Sequence, residues 1–159
     1  MQATVITVSN RSSRGERPDT SGPVAVARLV AEGWDVSTAL VPDGAAEVEA
    51  ALRAALADGA RLIVTSGGTG VTPQDLTPEG SAAVITTPLP GIAEEIRRRG
   101  AAAVPAAILS RGLAGMAGSA AGGALIVNLP GSPGGVRDGI EVVIAVARHA
   151  IEQYAGGDH

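Results

Sequence analysis

The sequence predicts a three-layer α/β fold in which helices cover both faces of a mostly parallel sheet. Four apolar runs rich in valine, isoleucine and leucine have the length of strands, and helical patterns separate them along the chain. Because these runs are continuously apolar, they are typical of parallel strands that are covered on both faces. With 159 residues, the chain is long enough to bury a core, and we expect residues 1–159 to form one domain.

Local signals give the predicted elements in order. Strands are predicted at residues 3–8, 36–41, 61–65 and 124–129. Helices are predicted at residues 21–32, 45–58, 91–99 and 134–153, with a further helix that begins at Thr77. In that further helix Thr77 is the predicted N-cap, and Pro78 takes the first helical position.

The helix of residues 91–99 is predicted to carry two glutamate–arginine pairs on its surface. Their spacing of four residues places both partners of each pair on one face of the helix. The two pairs are Glu94–Arg98 and Glu95–Arg99. Gly100 follows directly, and glycine is a common residue at the end of a helix.

The segment of residues 101–123 is rich in alanine and glycine and has no clear periodicity. We expect a short strand around residues 107–109. The rest of the segment does not divide into elements, and its apolar, alanine-rich surface is a candidate contact between subunits.

Composition excludes several classes of function. The chain has no cysteine and no lysine, which rules out thiolate chemistry and a phosphate-binding lysine of the Walker type. A serine-histidine-aspartate triad would have to use His149 or His159, the only histidines. A net charge of −4 with one tryptophan and one tyrosine argues against nucleic-acid binding.

Localisation follows from what the sequence lacks. No apolar run approaches the roughly 18 residues of a membrane span, and the first residues do not have the basic segment of a secretory signal. We therefore expect a cytoplasmic protein without a membrane partner.

Each predicted strand runs into a polar segment that contains glycine or proline. The carboxyl ends of parallel strands lie on one edge of the sheet, and ligands of open α/β sheets bind outside that edge. The richest segment is SGGTG at residues 66–70. Its glycines allow close approach of the backbone to a ligand, while Ser66 and Thr69 add hydroxyl groups, so the loop can cradle a phosphate.

Two aspartates, Asp43 and Asp75, are predicted in the loops of this edge. Carboxylates repel a phosphate unless a hard cation lies between them, and Mg²⁺ combines one or two carboxylates with phosphate oxygens. They are therefore candidate Mg²⁺ ligands. The alternative is structural: SGGTG is then only a tight turn, and Asp75 and Asp43 are turn or capping residues.

Two further loops leave a structural and a functional interpretation open. In PGSPGG, Ser132 is predicted to cap the last helix with Pro133 in its first position, which is ordinary for a helix entry. In the first loop Arg11, Arg14 and Arg17 either meet phosphates or only increase solubility.

Six blocks of the sequence, in this order, resemble the molybdenum-cofactor biosynthesis proteins of the Mog/MoaB type, which are related to plant and gephyrin G domains. The blocks are PDTSGP, VPDG, TSGGTGVTPQDLTPEG, PGIAEEIR, AILSRGLAGMAG and LIVNLPGSPGGVRDGI. The resemblance covers nearly the full chain. It implies a single molybdopterin-binding domain that assembles as a homotrimer and transfers AMP from Mg-ATP to the terminal phosphate of molybdopterin, releasing pyrophosphate. It also implies a downstream molybdenum-insertion enzyme as a partner.

The resemblance assigns site residues by position. Its two functional aspartates fall on Asp43 and Asp75, with roles in Mg²⁺ binding and catalysis. The residues implied for substrate binding are Ser66, Gly67, Gly68, Thr69, Gly70, Ser110, Asn128, Pro130, Gly131, Ser132 and Pro133. This chain departs from the family pattern at Gln74, where arginine is common, and at Asn10, where aspartate is common.

Two rival functions remain at the level of sequence. The first is a relative that carries molybdopterin without adenylylating it, because a pocket and its chemistry are separable. The second is a hydrolase or transferase that uses the same glycine loop on a different nucleotide-like substrate.

Overall fold

A computed structural model of the chain describes residues 1–157. Its six strands form one sheet in the order β2-β1-β3-β6-β5-β4. The strands are β1 (Gln2–Val8), β2 (Asp35–Val41), β3 (Leu62–Ser66), β4 (Thr87–Pro88), β5 (Ala114–Ala117) and β6 (Ala124–Leu129). The first four strands of that order are parallel, as predicted, whereas β5 runs antiparallel to both β6 and β4.

Helices cover both faces of the sheet, which confirms the predicted three-layer α/β fold. They are α1 (Asn10–Ser13), α2 (Gly22–Ala31), α3 (Ala45–Ala57), α4 (Thr77–Ala82), α5 (Pro90–Ala103) and α6 (Pro133–Tyr154), with a 3-10 helix at Pro105–Leu109. No helix within residues 1–157 is long and apolar enough to cross a membrane.

The core is divided between the two faces because successive strand residues point to opposite sides. On β3, Leu62 and Val64 belong to a cluster with α2, α5 and α6, whereas Ile63 packs in a second cluster with α3. All three side chains are fully buried. The sheet therefore needs apolar residues at consecutive positions of its central strands, as in residues 62–64 of β3 and 124–127 of β6.

The register of the parallel strands brings their carboxyl ends to one edge. Val8 of β1 pairs with Val41 of β2, and Ser66 of β3 pairs with Leu129 of β6. The loops that follow these four strands consequently start side by side, although they are far apart in sequence.

The strand predicted around residues 107–109 is wrong. These residues belong to the 3-10 helix, where Ile108 and Leu109 are largely exposed. The strand of this region is β5, which is buried along its whole length. Gly115 explains the small residues there: a Cβ at this position would lie 2.6 Å from the carbonyl oxygen of Thr87 on β4.

Helix α4 begins at Thr77 as predicted, but the predicted cap of this helix and the predicted end of α5 are wrong. Leu76 occupies the N-cap of α4, and Thr77 is the first helical residue, whose hydroxyl donates to the carbonyl of Gly67 instead of capping the helix. Helix α5 continues through Gly100 to Ala103. Alanines favour continuation, and the helix ends where Val104 adopts the extended conformation that a following proline requires.

One of the two predicted ion pairs of α5 is confirmed. Arg99 donates to Glu95 at 2.7 Å, four residues apart. Arg98 also pairs with Glu95, at 2.7 Å, and not with Glu94. The predicted cap of α6 is confirmed, because the Ser132 hydroxyl accepts a hydrogen bond from the amide of Gly135 at 3.1 Å.

Candidate functional site

Two cavities adjoin at the edge of the sheet where the four parallel strands end. The first, named here the polar pocket, has a volume of about 370 Å³ and is lined by segment 7–21 together with Asp43, Gln74 and the start of the loop after β3. The second, the apolar pocket, has a volume of about 580 Å³ and is lined by the rest of that loop, by α5, by the 3-10 helix and by the start of α6. Gly68 and Gly131 line both, so the two cavities meet there.

The glycine loop (residues 67–75) begins with two residues whose backbone conformation favours glycine. Gly67 has φ +105 and Gly68 has φ +64, in the region that disfavours side chains. A Cβ on Gly67 would overlap the carbonyl oxygen of Val8, and the loop after β6 is equally close, since a Cβ on Gly131 would lie 3.2 Å from Cα of Gly67. The loops therefore pack backbone against backbone at the junction of the pockets.

Four consecutive carbonyl groups of this loop are held by protein donors. Thr77 donates from its hydroxyl to the carbonyl of Gly67 and from its amide to that of Gly68, at 2.9 and 3.0 Å. Arg111 donates to the carbonyls of Thr69 and Gly70, both at 2.8 Å.

The amides that follow these carbonyls are unpaired. Within residues 1–157 the main-chain N–H groups of Gly68, Thr69, Gly70 and Val71 donate no hydrogen bond. All four residues line the apolar pocket, and the positive end of helix α6 borders it at Ser132. Unpaired amides beside a helix N-terminus form a site suited to an anion.

Asp43 is held by the first loop of the chain. Its Oδ2 accepts a hydrogen bond from the amide of Asn10 at 2.8 Å, and its own amide donates to Oδ1 of Asn10 at 3.1 Å. Oδ1 of Asp43 has no partner within the described residues and lies 3.3 Å from the position of a Cβ on Gly68. One carboxylate oxygen therefore remains available beside the glycine loop.

Asp75 combines a turn role with a free oxygen. Its Oδ2 accepts from the amide and the hydroxyl of Thr72, at 2.9 and 2.7 Å, which closes the turn that the structural interpretation predicts. Oδ1 has no hydrogen-bond partner in the part of the chain that the structure describes. Oδ2 lies 2.8 Å from the position of a Cβ on Gly70, so the Asp75 side chain lies against the glycines at the start of its own loop.

The two departures from the family pattern are in contact. Nδ2 of Asn10 donates to Oε1 of Gln74 at 3.4 Å, which joins the first loop to the glycine loop across the polar pocket. The resemblance implies an aspartate and an arginine at these two positions, whereas this chain has two neutral side chains joined by a hydrogen bond.

Two predicted substrate-binding residues are almost fully buried. Ser66 is 1% exposed, and its hydroxyl lies 3.0 Å from that of Ser21 and 3.2 Å from the carbonyl of Pro130. Asn128 is 2% exposed and lines neither pocket; its side chain bonds Thr65, Ser81 and the amide of Leu113. Asn128 consequently supports the loops from beneath.

The other predicted residues divide between the two pockets. Thr69, Gly70, Ser110, Pro130 and Ser132 line the apolar pocket. Arg11, Arg14 and Arg17 line the polar pocket. Pro133 lines neither and occupies the first turn of α6. Of the two histidines, His149 is an exposed residue of α6, and His159 lies outside the described residues.

Asp19 is a site residue that we did not predict individually. It lines the polar pocket and accepts hydrogen bonds from the Thr7 hydroxyl at 2.6 Å, from the Gly22 amide at 3.0 Å and from the amide and hydroxyl of Ser21. Burial favours the protonated carboxyl, but these hydrogen bonds together outweigh it and lower the pKa of Asp19 below its ordinary value. Asp19 is therefore a negative charge at the start of α2.

Arg111 is the second residue that sequence reasoning missed. It forms an ion pair with Glu79 at 2.5 Å, and its guanidinium also donates to the carbonyl of Asp75. The hydrogen bond from Arg111 lowers the pKa of Glu79. Its position after Ser110 in the block AILSRGLAGMAG was the only signal that could have indicated it.

Known proteins with related sequences share this arrangement of elements. The chain matches the family model described as a probable molybdopterin binding domain over residues 4–149. A molybdenum cofactor biosynthesis bifunctional protein from Synechococcus elongatus is 37% identical over 158 residues, which are 99% of this chain and 48% of that protein. The molybdopterin adenylyltransferase of Pyrococcus furiosus is 35% identical over 149 residues, 93% of this chain and 88% of that protein.

Solved structures agree with the sequence matches. The Mog protein of molybdopterin biosynthesis from Mycobacterium ulcerans is 44% identical and superposes with a TM-score of 0.88, covering 98% of this chain and 97% of that one. The chain spans about half the length of the bifunctional relatives, 48% of one and 49% of another.

Proposed function

Because this chain belongs to the family of probable molybdopterin binding domains, we propose that it is a molybdopterin adenylyltransferase of molybdenum cofactor biosynthesis. In this reaction an oxygen of the terminal phosphate of molybdopterin attacks the α-phosphorus of ATP. The bond from that phosphorus to the bridging oxygen of the β-phosphate breaks, and pyrophosphate leaves with the electron pair. Adenylylated molybdopterin is the product.

The observation that carries the proposal is the junction of two unlike pockets at a row of unpaired amides. The apolar pocket suits the ring system of one substrate, and the polar pocket suits a chain of phosphates. Where the pockets meet, the N–H groups of residues 68–71 can donate hydrogen bonds to the negatively charged oxygens of a phosphate. Phosphoryl transfer needs such positioning and charge stabilisation more than a covalent nucleophile.

Arginines favour the polar pocket as the place of the departing phosphates. Arg11 and Arg17 line it, and neither guanidinium has a hydrogen bond or an ion pair with another described residue. Arg14 pairs only with the exposed Glu16. Guanidinium groups without partners are available to a diphosphate, which takes bidentate hydrogen bonds. A chain without lysine can therefore still neutralise the leaving group.

Asp43 and Asp75 fit a Mg²⁺ ion that binds together with a nucleotide. Each lies against a glycine of the glycine loop and keeps one carboxylate oxygen unbonded within residues 1–157. Within the same residues no group of three or more acidic, histidine or cysteine side chains could hold a metal. Two carboxylates suffice for Mg²⁺, which fills its remaining positions with phosphate oxygens and water. When bound, the ion would offset negative charge on the phosphates.

We propose a cytoplasmic homotrimer that acts before a molybdenum-insertion enzyme. Support for assembly comes from Val104, Ile108 and Leu109, which are between 55% and 65% exposed and form an apolar surface directly after α5 and in the 3-10 helix. Such a surface is more typical of a subunit contact than of a face in water. Sedimentation of the purified protein measures the number of subunits directly.

The experiment supplies purified protein with molybdopterin, ATP and Mg²⁺ and measures the release of pyrophosphate. Asp75→Ala should lower turnover about a thousandfold, since several kcal/mol of charge stabilisation are lost, while binding of molybdopterin stays within a few-fold. Asp58→Ala is the matched control, because Asp58 is an exposed aspartate at the opposite edge of the sheet, after α3.

Two outcomes count against the proposal. Binding of molybdopterin without any pyrophosphate release identifies a carrier. Turnover of Asp75→Ala equal to that of the Asp58→Ala control removes Asp75 from the mechanism.

A further inference from the structure

We propose that Arg111 is a positioning residue, which aims main-chain amides of the glycine loop at an anion in the apolar pocket. The inference deepens the proposed function and rests on it, in that the anion is taken to be a phosphate group of the substrate. Arg111 acts through the loop backbone and not by touching the reacting atoms.

The contacts of Arg111 run along one side of the glycine loop. Its main-chain amide donates to the carbonyl of Thr69 and its Nε to that of Gly70, both at 2.8 Å. Its guanidinium also donates to the carbonyl of Asp75. One residue from a loop about forty positions later in the chain thus holds three carbonyls of residues 69–75.

Peptide geometry converts these contacts into a direction for the amides. In a trans peptide the C=O and the following N–H point in opposite directions, because the unit is planar. No peptide bond in residues 1–157 is cis. With the carbonyls of Thr69 and Gly70 held toward Arg111, the N–H groups of Gly70 and Val71 must point away from it.

Thr77 does the same for the first half of the loop. Its hydroxyl and amide hold the carbonyls of Gly67 and Gly68, which turns the N–H groups of Gly68 and Thr69 away from α4. Thr77 is fully buried, whereas the Arg111 side chain is 39% exposed. The direction of the Val71 N–H, which is set through the carbonyl of Gly70, therefore depends on a flexible side chain that must itself be held in place.

Glu79 is that anchor. Its carboxylate accepts from Nη1 of Arg111 at 2.5 Å and from Nη2 at 3.3 Å, from the first turn of α4. Exposed ion pairs contribute little to stability. The value of this pair lies in fixing the plane of the guanidinium. Its rigid, planar fork of donors can hold a carboxylate and a carbonyl in one fixed geometry, whereas the donors of an ammonium group rotate freely.

The inference predicts which amide changes when the side chain is replaced. The hydrogen bond to the Thr69 carbonyl comes from the main chain of Arg111, so it survives in every variant. The bond to the Gly70 carbonyl comes from Nε and is lost. The N–H of Val71 should therefore lose its orientation, while that of Thr69, which Thr77 holds through the carbonyl of Gly68, should not.

The test uses inorganic pyrophosphate as the anionic probe, with the full chain and its variants Arg111→Met, Arg111→Lys and Glu79→Gln. Each protein is also measured with Arg11→Met and Arg17→Met, so that binding by the arginines of the polar pocket is separated from binding by the loop amides. Calorimetry measures the affinity, and amide resonances of ¹⁵N-labelled protein report on Val71 and Thr69. Arg53→Met is the matched control, because Arg53 also bridges a glutamate and a carbonyl, those of Glu49 and Ala83, away from both pockets.

Arg111→Met and Arg111→Lys should weaken pyrophosphate binding about tenfold, the size expected for one charge-assisted hydrogen bond. Glu79→Gln should have a smaller effect in the same direction. The thermal midpoint of each should fall no further than that of Arg53→Met. The response of the Val71 amide to pyrophosphate should disappear, while that of Thr69 remains.

Unchanged affinity in Arg111→Met, or equal changes at Val71 and Thr69, would overturn the positioning role. Wild-type protein that binds no pyrophosphate would overturn it as well. Wild-type protein that binds pyrophosphate but releases none from ATP and molybdopterin counts against adenylyl transfer alone, and the Arg111 measurements still decide the inference.

Discussion

Asn10 and Asp43 exchange two hydrogen bonds, each donating its main-chain amide to the side chain of the other, at 2.8 and 3.1 Å. The side chain of Asn10 also donates to Gln74, so that one residue joins the loops after β1, β2 and β3. The carboxylate of Asp43 is thereby fixed on one oxygen and free on the other. The position of the Asp43 carboxylate therefore depends on Asn10, which would not itself bind a metal in this arrangement.

Replacing Asn10 by alanine should raise the Mg²⁺ concentration needed for half-maximal turnover about tenfold. Residues that hold a metal ligand typically change metal affinity tenfold to a hundredfold when they are removed. The main-chain bond from residue 10 to Asp43 survives, which is why we expect the lower value. Turnover measured against Mg²⁺ concentration checks this, and an unchanged midpoint contradicts it. Ser13→Ala in the same short helix is the control, since its hydroxyl bonds only Asn10.

Restoring the common family pair should couple residues 10 and 74. Asn10→Asp alone adds a carboxylate beside Asp43 and should lower activity, because it increases the charge that Mg²⁺ and the arginines must offset. Gln74→Arg added to it forms an exposed ion pair and should recover part of the loss. A double-mutant cycle on turnover should give a coupling energy of roughly 0.5–1 kcal/mol. Strictly additive effects would show that the two side chains do not interact during turnover.

Gly67→Ala should destabilise the fold by roughly 2–4 kcal/mol, since it combines positive φ with overlap against Val8. Urea unfolding measures the loss. Gly91→Ala is the control in the first turn of α5, where a Cβ meets nothing within 4 Å and φ is not positive. That variant should be as stable as the wild type or slightly more stable. Equal stability of both variants would mean that the loops at this junction can move apart at little cost in free energy.

Asp19→Asn should flatten the dependence of stability on pH. The folded pKa of Asp19 lies below its ordinary value, so its contribution is complete above the unfolded pKa and disappears as the pH falls through the folded pKa. The variant should lose about 1 kcal/mol at neutral pH and approach the wild type in acid, because asparagine still accepts from the amides at the start of α2.

Unfolding in urea between about pH 7 and about pH 2 distinguishes the outcomes. A parallel offset of the two curves at every pH would contradict the role of the ionised carboxyl. Asp58→Asn serves as the control, because this exposed carboxylate accepts no hydrogen bond from another described residue.

The central strands and their helices could be predicted because burial on both faces requires consecutive apolar residues, a pattern that is visible in the sequence. Leu62, Ile63 and Val64 are apolar in succession since each faces a helical layer. Strand β5 has no such pattern. Its alanines and glycine are small because β4 lies close, and a run of small residues does not show the periodicity of a strand or a helix. The glycine loop and Asp43 and Asp75 were also recognised, because glycines, turn residues and acids are informative by type.

By itself the sequence determined which loops gather at one edge of the sheet and which residue types they bring there, since continuous apolar runs that alternate with helices predict parallel strands, whose carboxyl ends share an edge. Only the tertiary structure decided how those residues are used. It separated the buried Asn128 from the residues that line the pockets, joined Asn10 to Asp43, and placed Arg111 behind the glycine loop. Hydrogen bonds between residues tens of positions apart depend on distances that no local pattern encodes, and these bonds set the direction of every amide in the site.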